Sequence, residues 1–336
     1  MYQLEEAEIE KEFQEDIDDI CNKLITTYSL KFTQNVENLS SPVLRWLDFR
    51  LRYVDPQPRN LAFSDRFPKT KLPKDAKKGL KKLQKLIQTG KDINPYQGRG
   101  LKLRNDSSGH NADSRTDLLW ADWNILHFHL SAEPIPSGQY FSKPADYLLF
   151  CIVEDEVVAF IDILRHPKKE GFADLELIKT LHRSWPEYIQ RFPLERNSEQ
   201  EETELSTNEI HNLRANGCNY LLNLNGESFI NPGMGITSAL TPLKISGIRM
   251  HISRYIQALA SMVCDPNSQF QKEINSLSIS TPKFSLIATP DGWTVYEEKS
   301  QIAFVLQPEE QQEMIILDMI TPRWTMKHLQ TYTPNV

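Results

Sequence analysis

Apolar residues recur at spacings of three and four through Ile9, Phe13, Ile17, Ile20, Leu24 and Tyr28, which predicts a helix over residues 4–29. Residues 41–53 begin helically and interleave Arg45, Arg50 and Arg52 with Trp46, Phe49 and Tyr53. That mixture suits either an amphipathic core helix or a surface for stacking RNA bases. A connector with Pro56, Pro58, Pro68 and Pro73 follows. Over residues 74–89, Leu80, Leu83, Leu86 and Ile87 form one stripe, lysines fill the other face, and Gly90 supplies a C-terminal stop. Residues 94–114 have the Gly, Asn and Ser content of a loop.

The period then changes from helical to twofold. Leu126, Phe128 and Leu130 alternate with Ile125, His127 and His129, so a strand would carry two imidazoles on the face opposite its apolar set. Tyr147–Val153 and Val157–Leu164 are apolar runs around the tip Glu154-Asp155-Glu156, which predicts an antiparallel hairpin buried on both faces. A helix over about 172–184 is stopped by Trp185-Pro186. Residues 193–209 are polar and acidic and are expected to be a linker, with Ser206 and Glu209 as a capping box for a helix ending at Gly217. Asn225-Gly226 predicts a hairpin between 219–224 and 227–230. Pro232-Gly-Met-Gly235 is read as a tight turn rather than a phosphate loop, because it lacks the Walker lysine. A helix over 242–264 and a last hairpin, 284–288 with 293–298, complete an α+β chain. The expected division is a helical N-terminus and α+β core over 1–192, the linker over 193–209, and a smaller α+β domain over 210–336.

With 336 residues, 40% apolar and 25% charged, the composition is that of a globular protein, and no run of 18 apolar residues predicts a membrane span. The N-terminus has no signal-peptide pattern, and Cys21, Cys151, Cys218 and Cys264 form no metal or disulfide spacing, so a reducing cytoplasm is expected. The net charge of −7 hides an asymmetry: Arg66 to Arg104 holds 13 lysines and arginines against Asp75 and Asp92. Such a segment is either a solvated helix face or a grip for phosphates. The candidate RNA contacts are Lys77, Lys78, Lys81, Lys82, Lys85, Arg99, Arg104 and Arg115.

The chemistry centres on His127 and His129. Asp162 and His166 share parity on the return strand, and Arg165 adjoins them; if that strand neighbours the histidine strand, three imidazoles, a carboxylate and a guanidinium converge. One reading is metal-free cleavage of RNA, with one imidazole as base, another as acid and a cation for the phosphorane charge. A second is a metal hydrolase using His127, His129 and His166. A third is structural: His129 bonds to Asp117 or Asp122, and the protein is a non-catalytic subunit of a defence or regulatory complex.

The hairpin from Asp146 to His166 resembles that of the small RNA-cleaving toxins of the RelE/HigB type, through Tyr147 and the Arg165-His166 end. The arginine that follows the tyrosine in those toxins is Leu148 here, so that phosphate contact is not carried over. The resemblance spans roughly residues 70–185 and implies a RelE-like antiparallel sheet, RNA as substrate, and an antitoxin or defence-complex protein as partner. The string Arg115-Thr-Asp-Leu-Leu-Trp through His129-Leu130 is similar to one in uncharacterised bacterial proteins and implies no function. The expectation is a cytoplasmic bacterial toxin- or defence-associated ribonuclease that needs neither metal nor cofactor.

Overall fold

The computed structural model describes residues 5–32, 41–68, 72–103, 117–166, 171–194, 204–238, 241–277, 279, 281–289, 292–305 and 319–329. The fold is α+β, and the chain divides into two compact units, 1–50 with 245–336, and 51–244.

The first unit joins the two ends of the chain. Helix α1 (Glu6–Thr27) buries Ile9, Phe13, Ile17 and Leu24 of the expected stripe together with Cys21, while Ile20 is half-buried. That stripe meets α2 (Pro42–Arg50) and a later antiparallel sheet. The Trp46 indole N–H donates to the Ile320 carbonyl at 2.6 Å, and the Leu286 amide donates to Asp16 Oδ2 at 2.7 Å.

The second unit is built on a four-stranded sheet ordered β1-β4-β3-β2, from β1 (Asn60–Phe63), β2 (Leu126–His129), β3 (Tyr147–Val153) and β4 (Val157–Arg165). The expected hairpin is β3 and β4, and β2 pairs antiparallel with β3. Edge strand β1 pairs parallel with β4, so the sheet is mixed where a wholly antiparallel one was expected. Residues 148–152 of β3 and 158–163 of β4 are buried throughout, so both faces need cover. On one face, Leu148, Phe150, Ile152 and Ile161 join a core with α6 (Leu175–Ser184), α7 (Pro186–Ile189), α8 (Thr207–Ala215) and the hairpin β5 (Leu222–Leu224) and β6 (Glu227–Phe229). Helix α3 (Lys74–Gln88) is outside that core; it contacts β1, and Gly79 lies against the main chain of Leu130.

Local chemistry explains the helix ends. Asp117 caps α5 (Leu118–Trp123) by accepting from the Trp120 amide, and Asn124 ends it in the left-handed conformation at φ 58°. Ser206 and Glu209 form the expected capping box of α8. Asn225 and Gly226, at φ 53° and 84°, make the expected tight hairpin turn.

The expected boundary falls inside the second unit. Residues 195–203 lie outside the described residues, but Ile210, Leu222, Leu224 and Phe229 belong to the same core as Phe150. The reason is charge as well as apolar area. Arg214 on α8 donates to Asp122 Oδ2 of α5 at 2.5 Å, to the Phe172 carbonyl at 2.6 Å and to the Tyr220 hydroxyl at 3.3 Å. Its guanidinium also lies 4.4 Å from the Trp123 ring centre. A buried ion pair of this kind fixes α8 to the sheet layer.

Candidate functional site

His127 and His129 stand opposite Phe150 and Leu148 across the β2–β3 ladder. They therefore share a face with the core that holds Phe150 and Leu148, where the alternation alone predicted a face free of apolar cover. They escape complete enclosure because β2 is an edge strand, and a cavity of about 490 Å³ opens there. Its wall holds His127, His129, His166, Phe172 and, from α8, His211 and Arg214. Arg52 and the loop from Gln97 to Leu101 line it as well.

Each imidazole is held differently. Asp117 Oδ2 lies 3.5 Å from His127 Nδ1, while Oδ1 of the same carboxylate caps α5. The approach is long, and Nδ1 has no hydrogen-bond partner among the described residues. The carboxylate still favours the tautomer with the proton on Nδ1, which leaves the Nε2 lone pair free. Nε2 faces the glycine loop: a Cβ on Gly98 would lie 3.5 Å from it. Burial pushes the His127 pKa down, opposed by Asp117 and reinforced by His166 and Arg52.

His129 Nδ1 accepts the Ala145 amide at 3.2 Å, so in the neutral ring the proton is on Nε2. Burial, with His127 and His166 close by, lowers its pKa to about 4. The exposed ring of His166 stacks on His129, with centroids 5.7 Å apart and planes 25° apart. Its amide donates to the Asp146 carbonyl at 2.6 Å, which carries the β3–β4 ladder one position past the Tyr147–Arg165 pair. Phe172 packs against His127 at 5.1 Å and edge-on to His166 at 6.1 Å between centroids.

Other expected members are not brought together. Strand β4 does not neighbour β2, because β3 lies between them. Asp162 is opposite Phe150, on the far side of that strand from His127, and pairs with Arg66 at 3.4 Å. Burial raises its pKa. Arg165 is exposed opposite Tyr147 and is not on the cavity wall. Lys77, Lys78, Lys81 and Lys85 are exposed on α3, outside the cavity. Lys82 is half-buried, donates to the Glu133 carbonyl at 2.7 Å and lies 5.1 Å from the Tyr96 ring centre. Of the expected basic contacts, Arg99 lines the cavity, and Arg104 and Arg115 lie outside the described residues.

Comparison with protein-family models, curated proteins and solved structures finds no match to this chain. Its chemistry therefore rests on the cavity itself. Among the described residues, no three His, Cys, Asp or Glu side chains are grouped to hold a metal ion. His129 and His166 stack, whereas ligands must aim nitrogens at one point. The turn at Pro232–Gly235 is occupied structurally: the Gly233 amide donates to the Asp122 carbonyl at 2.7 Å and the Gly235 amide to the Ala121 carbonyl at 2.9 Å.

Sequence reasoning found the histidines through their twofold alternation. It missed Arg52, Gln97, Phe172, His211 and Arg214 as cavity residues. Arg52 and Gln97 stand in segments with no period, where nothing local marks a side chain as facing a ligand. His211 and Arg214, three apart on a helix, carried the one usable signal.

Proposed function

We propose that residues 51–244 form a metal-independent ribonuclease whose active site is the histidine cavity. The observation that carries this reading is that three of the four imidazoles lining the cavity, those of His127, His129 and His166, stand in three different settings, with Arg52 and Arg99 on the same cavity. His127, with Asp117 behind Nδ1, suits a general base at Nε2. The 2′-hydroxyl gives its proton to that nitrogen, and its oxygen bonds to phosphorus. The bond from phosphorus to the 5′-oxygen breaks, and protonated His166 at the exposed rim donates the proton that the leaving oxygen takes up. The neutral His129, with Nε2–H as a donor, and the two arginines offset the charge on the phosphorane. The products are a 2′,3′-cyclic phosphate and a free 5′-hydroxyl. The α3 lysines act from outside, attracting RNA through a screened field rather than by contact at the cavity.

The toxin or phage-defence setting, the cytoplasm and an antitoxin or defence-complex partner belong to the same proposal and rest on the hairpin resemblance and the free cysteines. The test is incubation of the purified protein with RNA, with and without EDTA, beside His127→Ala. Cleavage that persists in EDTA, leaves cyclic phosphate ends and falls at least about 100-fold in the variant supports the proposal. Loss of cleavage in EDTA, or full activity in a folded His127→Ala protein, overturns it.

A further inference from the structure

One polar atom on the cavity wall, Gln97 Oε1, accepts no hydrogen bond from a described residue, and its identity as oxygen is set by its neighbours. Gln97 is 7% exposed and lines the cavity. Its Nε2 donates to the Arg52 carbonyl at 2.9 Å and to Asn94 Oδ1 at 2.9 Å. Asn94 cannot be turned over to change this. Its Oδ1 accepts the Val54 amide at 2.8 Å, while its Nδ2 donates to the Val54 carbonyl at 2.8 Å and to Asp92 Oδ1 at 2.7 Å. Reversing the Gln97 amide would set its oxygen against two acceptors. Both N–H donors of Gln97 are therefore spent on the protein, and Oε1 accepts from no described residue. A locked acceptor with no partner in a roomy cavity favours a ligand that brings a donor to it. The aromatic surface of Phe172 lies on the same cavity, and such surfaces stack nucleobases.

We propose that Gln97 Oε1 is the acceptor through which this cavity reads the exocyclic amino group of a nucleobase stacked on Phe172. The proposal rests on the reading of the ligand as RNA. An amino group donates to Oε1, whereas an oxo group in its place sets acceptor against acceptor and leaves Oε1 desolvated without a bond.

The test is binding of nucleoside monophosphates to the full chain by calorimetry. Cytidine is compared with uridine monophosphate, and adenosine with inosine monophosphate, since each pair exchanges the exocyclic amino group for an oxo group, the adjacent ring nitrogen changing from acceptor to N–H donor with it. In at least one pair the amino-bearing member should bind about tenfold more tightly. Gln97→Met should bring that preference below about twofold. Equal binding within both pairs overturns the proposal, as does an unchanged preference in a folded Gln97→Met protein. Because Gln97→Met also removes two internal hydrogen bonds, a measurement on the unaltered chain stands beside it. For the preferred base, the dimethylamino analogue keeps the ring and loses both N–H donors; binding as tight as that of the parent overturns the assignment. These are affinities, so they are independent of turnover. An amino preference without RNA cleavage counts against the nuclease and for Gln97, and cleavage without the preference counts the other way.

Discussion

At the scale of single residues, the cavity depends on one carboxylate with two duties. Asp117 caps α5 through Oδ1 and faces His127 through Oδ2. Asp117→Asn separates them, since asparagine caps a helix as well as aspartate does but cannot hold His127 in the same tautomer. RNA cleavage should fall at least about 100-fold, while unfolding stability changes by less than about 1 kcal/mol. A parallel loss of both would make Asp117 purely structural. The histidines also tie stability to pH. Burial holds the His129 pKa down to about 4 from an ordinary 6.5, so between those values the unfolded chain binds the proton and the folded chain does not. Stability is complete above about pH 6.5 and is lost as pH falls toward 4, by on the order of 2 kcal/mol from His129. His127 acts in the same direction. Urea midpoints at pH 7 and pH 5 measure the slope. His129→Gln should flatten it, and an unaltered slope in that variant would remove His129 as its source.

At the scale of elements, sequence patterns were good guides to type and poor guides to neighbours. The lysine-faced helix, the hairpin around Glu154–Glu156 and the Asn225-Gly226 turn follow from local periodicity and turn chemistry, which act over a few residues. That β1 joins β4 in parallel depends on a pairing across about 100 residues, and that β3 separates Asp162 from the histidines depends on one across about 20, neither of which a local pattern encodes. Helix α3 shows how such packing overrides propensity. Gly79 lies mid-helix, where alanine normally gains up to about 1 kcal/mol. Here a Cβ would lie 2.3 Å from the Leu130 carbonyl oxygen, inside main chain that cannot swing away. Gly79→Ala should therefore destabilise the protein, by about 2 kcal/mol or more, through forced separation of α3 from the end of β2. A higher unfolding midpoint in that variant would mean that the helix and strand slide apart freely.

At the scale of the whole molecule, the acidic stretch suggested a linker, because few apolar residues usually means little burial. What it could not reveal is that the chain beyond it returns to the same core. Ile210, Leu222, Leu224 and Phe229 complete the apolar layer over Phe150, and Arg214 neutralises Asp122, which is 2% exposed. Cutting the chain at residue 192 removes all of these and leaves a buried carboxylate without its guanidinium. A lost partner of this kind costs about 3–5 kcal/mol before the exposed apolar area is counted, which is a large fraction of a domain's usual margin. A fragment spanning residues 51–244 keeps the sheet, the core of α6–α8 and the 222–229 hairpin, and the cavity. It should express in soluble form, unfold in one cooperative transition and bind nucleotides as the full chain does. A fragment spanning 1–192 should aggregate or show no cooperative transition. Cooperative folding of the shorter fragment, with failure of 51–244, would mean that the core closes without α8 and the 222–229 hairpin, and that the Arg214–Asp122 pair is dispensable.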